Sequence, residues 1–166
     1  MPALASRRPD LATLAAGRHR FRNAEAVTPS QLLGDWEFVP TGPEVIRKRW
    51  HRALRLLQAG SVEGIRFAEG TGVLMERSGR RRHVPSCRSI RVVAESSVID
   101  GRPCVAVEFP DRDRFPWPWL RLEVRALTHD RTWPVDGRWA IGLLLLDLPG
   151  RFPIPLLLQW QPKGLE

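Results

Sequence analysis

The stretch Leu32-Leu33-Gly34-Asp35-Trp36-Glu37-Phe38 marks the point where a basic N-terminal segment gives way to a folded domain. After the glycine, the aromatic Trp36 and Phe38 alternate with the acidic Asp35 and Glu37. Successive side chains of a β-strand point to opposite faces, so a period of two predicts a strand with one apolar face. The stretch therefore predicts the first strand of the domain, with both aromatic rings in its core.

The chain has 166 residues, a length that suits one domain. Hydrophobic residues make up 43% and include seven Trp, which is enough material for a core and argues against general disorder. Lys and Arg number 26 against 18 acidic residues, and only Lys48 and Lys163 are lysines. Such a balance indicates either recognition of phosphate or carboxylate groups by arginine or merely a GC-rich genome. We expect a basic arm over residues 1–28 and one domain over residues 29–166.

The arm carries arginines and few acids, and its pattern predicts a short helix that begins near Pro9-Asp10 and ends at Gly17. It lacks the continuous apolar segment of a secretory signal. Elsewhere the longest apolar run, residues 141–146, is too short to span a bilayer as a helix. We therefore expect a cytoplasmic protein, or one bound peripherally to a membrane, with Cys87 and Cys104 as reduced, buried thiols.

Residues 43–59 have the pattern of an amphipathic helix. Apolar residues recur at helical spacing at Ile46, Trp50, Ala53, Leu54 and Leu57. The opposite face is basic and contains Arg47, Lys48, Arg49, His51, Arg52 and Arg55. A cationic helix of this kind is typical of a segment that lies on an anionic membrane surface. The alternative is a helix that covers the end of the domain, with its arginines in solvent.

From Ser61 onward the apolar period changes to two, which indicates strands. The predicted strands cover 62–69, 72–77, 89–96, 104–109, 119–127, 138–148 and 154–161. A basic loop, Arg80-Arg81-Arg82-His83, follows the third strand, and Asp100-Gly101 predicts a tight turn. No strand–helix unit repeats, which excludes a parallel sheet. The sequence predicts a mainly β protein: an antiparallel barrel of about eight strands with one inserted α-helix.

The tripeptide Gly34-Asp35-Trp36 at the start of such a barrel resembles the calycin superfamily, which includes lipocalins and fatty-acid-binding proteins. Residues 29–36, preceded by Leu14-Ala15-Ala16-Gly17, also resemble the start of the plastid lipid-associated proteins (fibrillins). The sequence departs from that family at Val39-Pro40, where Tyr-Thr is common. The resemblance implies a lipocalin-like barrel in which the Trp closes one end and an apolar ligand binds inside.

On this basis we expect a hydrophobic small molecule or lipid to contact Trp36, Phe38, Leu120, Leu122 and Val124. An anionic membrane surface would meet the basic helix and the basic loop, through Arg47, Lys48, Arg49, Arg52, Arg55, Arg80, Arg81 and Arg82. The segment Phe115-Pro116-Trp117-Pro118-Trp119 is either a lid or interfacial anchor, or an ordinary loop that covers the core. We thus expect a non-catalytic binding or accessory protein.

The alternative function is an assembly subunit that contacts an acidic protein or RNA through the basic arm and the basic loop. Nucleic acid is the weaker expectation, because the basic loop has no interleaved aromatic residues on which bases could stack. Residues 143–146 and 156–158 lack clean alternation, which indicates strands buried on both faces or a homodimer surface. Neither the scattered histidines nor the cysteines have metal-ligand spacing, and no nucleophile motif occurs. We expect neither enzymatic activity, nor a metal, nor a cofactor.

Overall fold

The computed structural model describes residues 13–45, 47–48, 62–78, 81–109, 119–127, 139–146 and 153–161. The elements with described bounds are helix α1 (Leu14–Asn23), a 3-10 turn (Pro29–Leu32), β1 (Gly34–Pro40), β2 (Val62–Ala68), β3 (Thr71–Ser78), β4 (Arg81–Ser96), β5 (Pro103–Glu108), β6 (Leu120–Leu127), β7 (Trp139–Leu146) and β8 (Ile154–Gln161).

Each strand pairs in antiparallel orientation with the next, and β8 pairs back with β1, so the sheet closes into an eight-stranded barrel. At this last seam Trp36 lies opposite Trp160, and Phe38 opposite Leu158. Closure leaves no strand edge to attract another chain. The predicted fold class, an antiparallel barrel of about eight strands, is confirmed, and an up-and-down barrel of this kind is compatible with a lipocalin-like fold.

The buried apolar residues form two clusters on opposite sides of the barrel wall. The larger cluster lies inside the barrel and includes Trp36, Leu122 and Val124. The smaller one lies outside, where Phe21 and Ala24 cover the outer face of β7 and β8. Of the two interpretations of the C-terminal apolar strands, burial on both faces is therefore the one observed. The chain's own N-terminal segment covers the second face.

Helix α1 differs from its prediction at both ends. It begins after Thr13, whose hydroxyl accepts a hydrogen bond from the Ala16 amide at 3.0 Å, and it runs through Gly17 to Asn23. Gly17 does not end the helix. A Cβ there would lie 2.5 Å from Cβ and Cγ of Pro155, so the glycine allows α1 to approach β8 closely. Residues 9–12, where the prediction placed the helix start, lie outside the described residues.

Two predicted connections also differ. The expected basic loop at 80–83 is wrong for its last three residues, because β4 begins at Arg81 and Ser78 pairs with it across the hairpin. The two-residue turn expected at Asp100-Gly101 is instead a longer connection between β4 and β5, residues 97–102. In it the Ser97 amide donates a hydrogen bond of 2.9 Å to the Arg102 carbonyl. Gly101 has φ +70°, so the turn residue was identified correctly although the connection was drawn too short.

The predicted helix over 43–59 lies mostly outside the described residues. Glu44, Val45, Arg47 and Lys48 have helical backbone, whereas 46 and 49–61 are not described. Arg49, Arg52, Arg55 and Arg80 therefore lie outside the described part of the chain. For Arg81 and Arg82 the structure describes the backbone only. Within the helices it describes, none is long and apolar enough to cross a membrane.

Candidate functional site

The inside of the barrel is lined by apolar side chains. The buried members of this inner cluster are Val27, Leu32, Trp36, Val62, Ile65, Phe67, Leu74, Ile90, Val92, Val105, Val107, Phe109, Leu122, Val124, Ala140, Leu156 and Leu158. Period-two alternation explains why each strand contributes every second residue to it. On β6, for example, Leu120, Leu122 and Val124 face inward, while the charged residues between them face outward.

The end of the barrel where β1 begins is closed by the 3-10 turn. Leu32, the last residue of the turn, is 1% exposed and packs into the inner cluster. Trp36 lies beneath it, and its indole Nε1 donates a hydrogen bond of 2.6 Å to the Leu32 carbonyl oxygen. A buried indole N–H without a partner would be costly, so this bond fixes the ring under the chain entry.

The five predicted ligand-contacting residues come together in the inner cluster. Trp36, Leu122 and Val124 are buried, whereas Phe38 and Leu120 are only partly buried against the same cluster. The two partly buried residues lie toward the end of the barrel opposite the 3-10 turn, since β1 runs away from that turn and β6 begins at the far end. Two other partly buried members, Ala126 and Trp160, lie toward the 3-10 turn.

The order of the strands also decides which connections share an end. Because the barrel is strictly up-and-down, β1, β3, β5 and β7 all end, and the following strands all begin, at the end opposite the 3-10 turn. At this distal end lie the strand ends that flank three segments singled out in the sequence analysis: residues 43–59, 80–83 and 115–119. They are far apart in sequence, and only barrel closure brings their flanking strands together.

The described residues at the distal end include both cations and exposed apolar side chains. Arg47 and Lys48 are exposed, and Lys48 pairs with Glu44 at 2.8 Å. Val45 is 60% exposed and Trp119 is 45% exposed. Among the described residues, only Leu33 and Val98, at the other end of the barrel, join them as exposed large apolar side chains. Exposed cations beside exposed apolar side chains are features that an interface with an anionic surface would use.

The outer face of β6 contains a buried charged cluster that sequence reasoning did not find. Arg125 has no exposed surface, and its guanidinium donates to both carboxylate oxygens of Asp100, at 2.6 and 2.8 Å. The same side chain donates to the carbonyls of Phe21, Arg102 and Pro103. Its guanidinium carbon also lies 4.4 Å from the centre of the Phe21 ring. Arg125 thus ties α1 and the 97–102 connection to the barrel wall.

Glu123 is the second fully buried charge on this face. One carboxylate oxygen accepts from the Val98 amide at 2.9 Å and from Arg121 Nε at 3.1 Å, and the other accepts from the Ser97 hydroxyl at 2.5 Å. Glu123 therefore binds the start of the 97–102 connection, and Arg125 binds its end. A buried carboxylate without such partners would cost several kcal/mol. The complete set of partners explains how β6 can bury charge on its outer face.

Two pKa shifts follow from this arrangement. Hydrogen bonds from Arg125 lower the pKa of Asp100 to about 2. Burial raises the pKa of the Cys104 thiol to about 12, and the negative charge of Glu123 adds to the rise. Cys104 is 1% exposed, which confirms the expectation of a buried thiol, while the side chain of Cys87 is not described. A neutral, buried thiol and fully paired charges are features of a structural clamp rather than of a nucleophilic site.

No sequence signal would have identified the clamp. Arg121, Glu123 and Arg125 alternate with apolar residues, a pattern that predicts a solvent-exposed face. Their burial depends on α1 and the 97–102 connection, which come from other parts of the chain. Elsewhere in the part of the chain that the structure describes, no three His, Cys, Asp or Glu side chains are grouped so as to hold a metal ion.

The chain was also compared with known proteins. No protein-family model, no curated protein and no solved structure matches it. The resemblance to the plastid lipid-associated proteins therefore depends only on residues 29–36 and on Leu14-Ala15-Ala16-Gly17.

Proposed function

We propose that the protein is a non-catalytic binding or accessory protein that holds a hydrophobic small molecule or lipid in its barrel and docks on an anionic membrane. The observation that carries the proposal is the convergence of Trp36, Phe38, Leu120, Leu122 and Val124 in one apolar interior. A closed barrel with inward-facing apolar residues is an architecture that holds single small ligands.

The closure of one barrel end by the 3-10 turn supports a direction for ligand entry. At one end the 3-10 turn and Trp36 close the interior and are held together by a hydrogen bond. At the distal end Phe38 and Leu120 stay partly accessible. An apolar ligand would therefore enter at the distal end and come to rest above Trp36, in the manner that the lipocalin-like resemblance implies.

The distal end is also the one that would dock. Arg47 and Lys48 are exposed there, together with Val45 and Trp119. Each basic residue near an anionic surface contributes about 1 kcal/mol, and the exposed indole is suited to the headgroup region. Docking and ligand entry would then use the same end, so that a lipid could pass directly between bilayer and barrel.

Ligand binding can be tested by native mass spectrometry of the purified protein, followed by organic extraction and by titration with a fluorescent fatty acid. We expect the wild-type protein to carry a bound apolar molecule. The Leu120→Trp variant should no longer bind the fluorescent fatty acid, because the larger ring would occupy the interior. Val98→Trp is the matched control, because Val98 is exposed at the other end. A clean native mass together with no probe uptake would refute ligand binding.

Docking can be tested by co-sedimentation with phosphatidylserine-containing vesicles and with neutral vesicles. Binding to the anionic vesicles should weaken with salt and fall in the double variant Arg47→Gln/Lys48→Gln. Arg91→Gln serves as a control on the barrel wall, where Arg91 pairs with Glu108. Equal binding to neutral vesicles, or no binding at all, would contradict membrane docking.

A further inference from the structure

Helix α1 lies on the outer wall of the barrel and offers a separate surface. Gly17 and Phe21 are buried against the wall, on the side of β7 and β8. Beside this buried side the helix carries Arg18, which is half-buried, and Arg22, which is exposed, one helical turn apart. This surface lies on the barrel wall and makes no use of the interior, so it is independent of the function proposed above.

Two arginines of α1, Arg18 and Arg22, differ from those of the barrel wall. On the wall, Arg66 pairs with Asp35, Arg91 with Glu108, and Arg125 with Asp100. In contrast, within the described part of the chain Arg18 and Arg22 have no carboxylate at ion-pairing distance. α1 has no acidic residue in its first turn. Like charges four residues apart lower helix stability by a few tenths of a kcal/mol. The chain therefore accepts a small unfavourable interaction at this surface.

A third arginine extends the same surface. Arg102 is exposed, and its Nη1 donates a hydrogen bond to the carbonyl oxygen of Arg22 near the end of α1. Arg18 and Arg22 are separated by four residues, or about 6 Å along the helix axis. We call Arg18, Arg22 and Arg102 the cationic row. The backbone that carries the row is anchored, because α1 packs on the barrel and Arg125 donates hydrogen bonds to the Phe21 and Arg102 carbonyls.

We propose that the cationic row binds the phosphate backbone of a nucleic acid strand. Arginine's planar fork matches phosphate oxygens, and neighbouring cations on one surface are complementary to the successive phosphates of a strand. Backbone contacts of this kind need no stacking aromatic residues. Their absence lowers the affinity, since stacking contributes about 1–3 kcal/mol per base, but the electrostatic contribution to binding remains.

A lipid bilayer fits this surface less well. A helix that lies in a membrane interface buries an apolar face among the lipids, whereas the apolar face of α1 is already committed to β7 and β8. Among the described residues, the exposed large apolar side chains are Leu33, Val45, Val98 and Trp119, and none lies on α1. The surface of α1 is therefore cationic without being suited to insertion.

Three phosphate contacts predict weak binding with a defined salt dependence. Each neutralised phosphate contributes about 0.7 to the slope of log K against log salt for a single strand, so the row predicts a slope of about −2. The dissociation constant should lie in the range of non-specific binding, about 10⁻⁴ to 10⁻⁶ M. Oligo-dT and oligo-dA should bind alike, since the contacts read no base.

Fluorescence anisotropy with labelled oligo-dT, oligo-dA, oligo-U and a DNA duplex, at several salt concentrations, tests the proposal. In Arg18→Gln/Arg22→Gln/Arg102→Gln, we expect binding to fall at least tenfold and the salt slope to approach zero. A control variant, Arg47→Gln/Lys48→Gln/Arg91→Gln, removes three charges from other surfaces and should retain most of the binding. Thermal unfolding of both variants checks the fold; if the Arg102 change destabilises it, Arg18→Gln/Arg22→Gln should lose about two thirds of the slope.

Three results would overturn the proposal. Equal losses in both triple variants would mean that net charge, and not the cationic row, attracts the oligonucleotides. Binding to polyglutamate as strong as to oligonucleotides would assign the row to an acidic protein. Loss of anionic-vesicle binding in the row variant, without oligonucleotide binding by the wild type, would assign it to a membrane. The vesicle measurement also separates this inference from membrane docking at the distal end, which depends on Arg47 and Lys48.

Discussion

The guanidinium of Arg125 and the carboxylate of Asp100 form a two-pronged ion pair, with N–O distances of 2.6 and 2.8 Å, on the outside of a β-barrel. Neither residue belongs to the apolar core, yet the side chain of Arg125 is completely buried. The pair joins a strand to a connection, and through the Phe21 carbonyl it also joins α1 to both. It is therefore the point at which the N-terminal helix is attached to the barrel.

Replacement of Arg125 by Met should destabilise the protein by about 3 kcal/mol, because it removes the cation paired with Asp100 and one hydrogen bond to each of three carbonyl groups. Urea denaturation measures the change. The matched control is Arg91→Met, which breaks an exposed pair with Glu108 and should cost less than about 1 kcal/mol. Similar losses of unfolding free energy in the two variants would show that the buried pair contributes no more stability than the exposed pair.

The stability of the fold should depend on the ionisation of Asp100. Hydrogen bonds from Arg125 lower the pKa of its carboxyl from 3.8 to about 2 on folding. A lowered folded-state pKa gives stabilisation that is complete above the unfolded-state value and is lost as the pH falls through the folded-state value. The urea midpoints of wild type and Asp100→Asn should therefore differ at pH 7 and converge between about pH 4 and pH 2. Parallel curves over that range would contradict the assignment.

Cys104 should resist alkylation in the folded protein. Burial raises the pKa of its thiol to about 12, so the reactive thiolate is scarce at pH 8 and the sulfur is also shielded. Iodoacetamide labelling followed by peptide mass spectrometry separates Cys104 from Cys87. We expect labelling of Cys104 to accelerate at least a hundredfold in urea. Native labelling at the unfolded rate would mean that β5 is exposed to solvent.

Gly17→Ala should destabilise the protein although it improves helix propensity. Propensity alone predicts a gain of about 1 kcal/mol. The new Cβ, however, would lie 2.5 Å from two side-chain atoms of Pro155, and separating α1 from β8 should cost about 1–3 kcal/mol. Ala16→Gly, at an exposed neighbouring position, is the control for propensity. A stabilised Gly17→Ala variant would show that α1 packs less closely than described.

The barrel could be predicted from the sequence because its signal is local. Alternation along residues 119–127 identifies a strand and its inner face without reference to any other segment, and Leu120, Leu122 and Val124 do face inward. The predicted basic loop failed at Arg81 because a hairpin can extend past its expected turn wherever two strands keep pairing. The predicted end of α1 failed because Gly17 serves a close contact with a residue more than a hundred positions away.

What the sequence by itself determined is the pattern of inner faces along the successive strands, from which an antiparallel barrel could be predicted. The pairing of β8 with β1 that closes the barrel joins the two ends of the domain. Only the tertiary structure decided which outer faces are also buried. Alternation distinguishes the two sides of a strand but contains no information on what covers them. The burial of Arg125 outside the barrel, like that of Ile141, depends on α1 lying across the wall. The stretch around Trp36 determines where the barrel begins, and contacts distant in sequence determine where its surfaces are exposed.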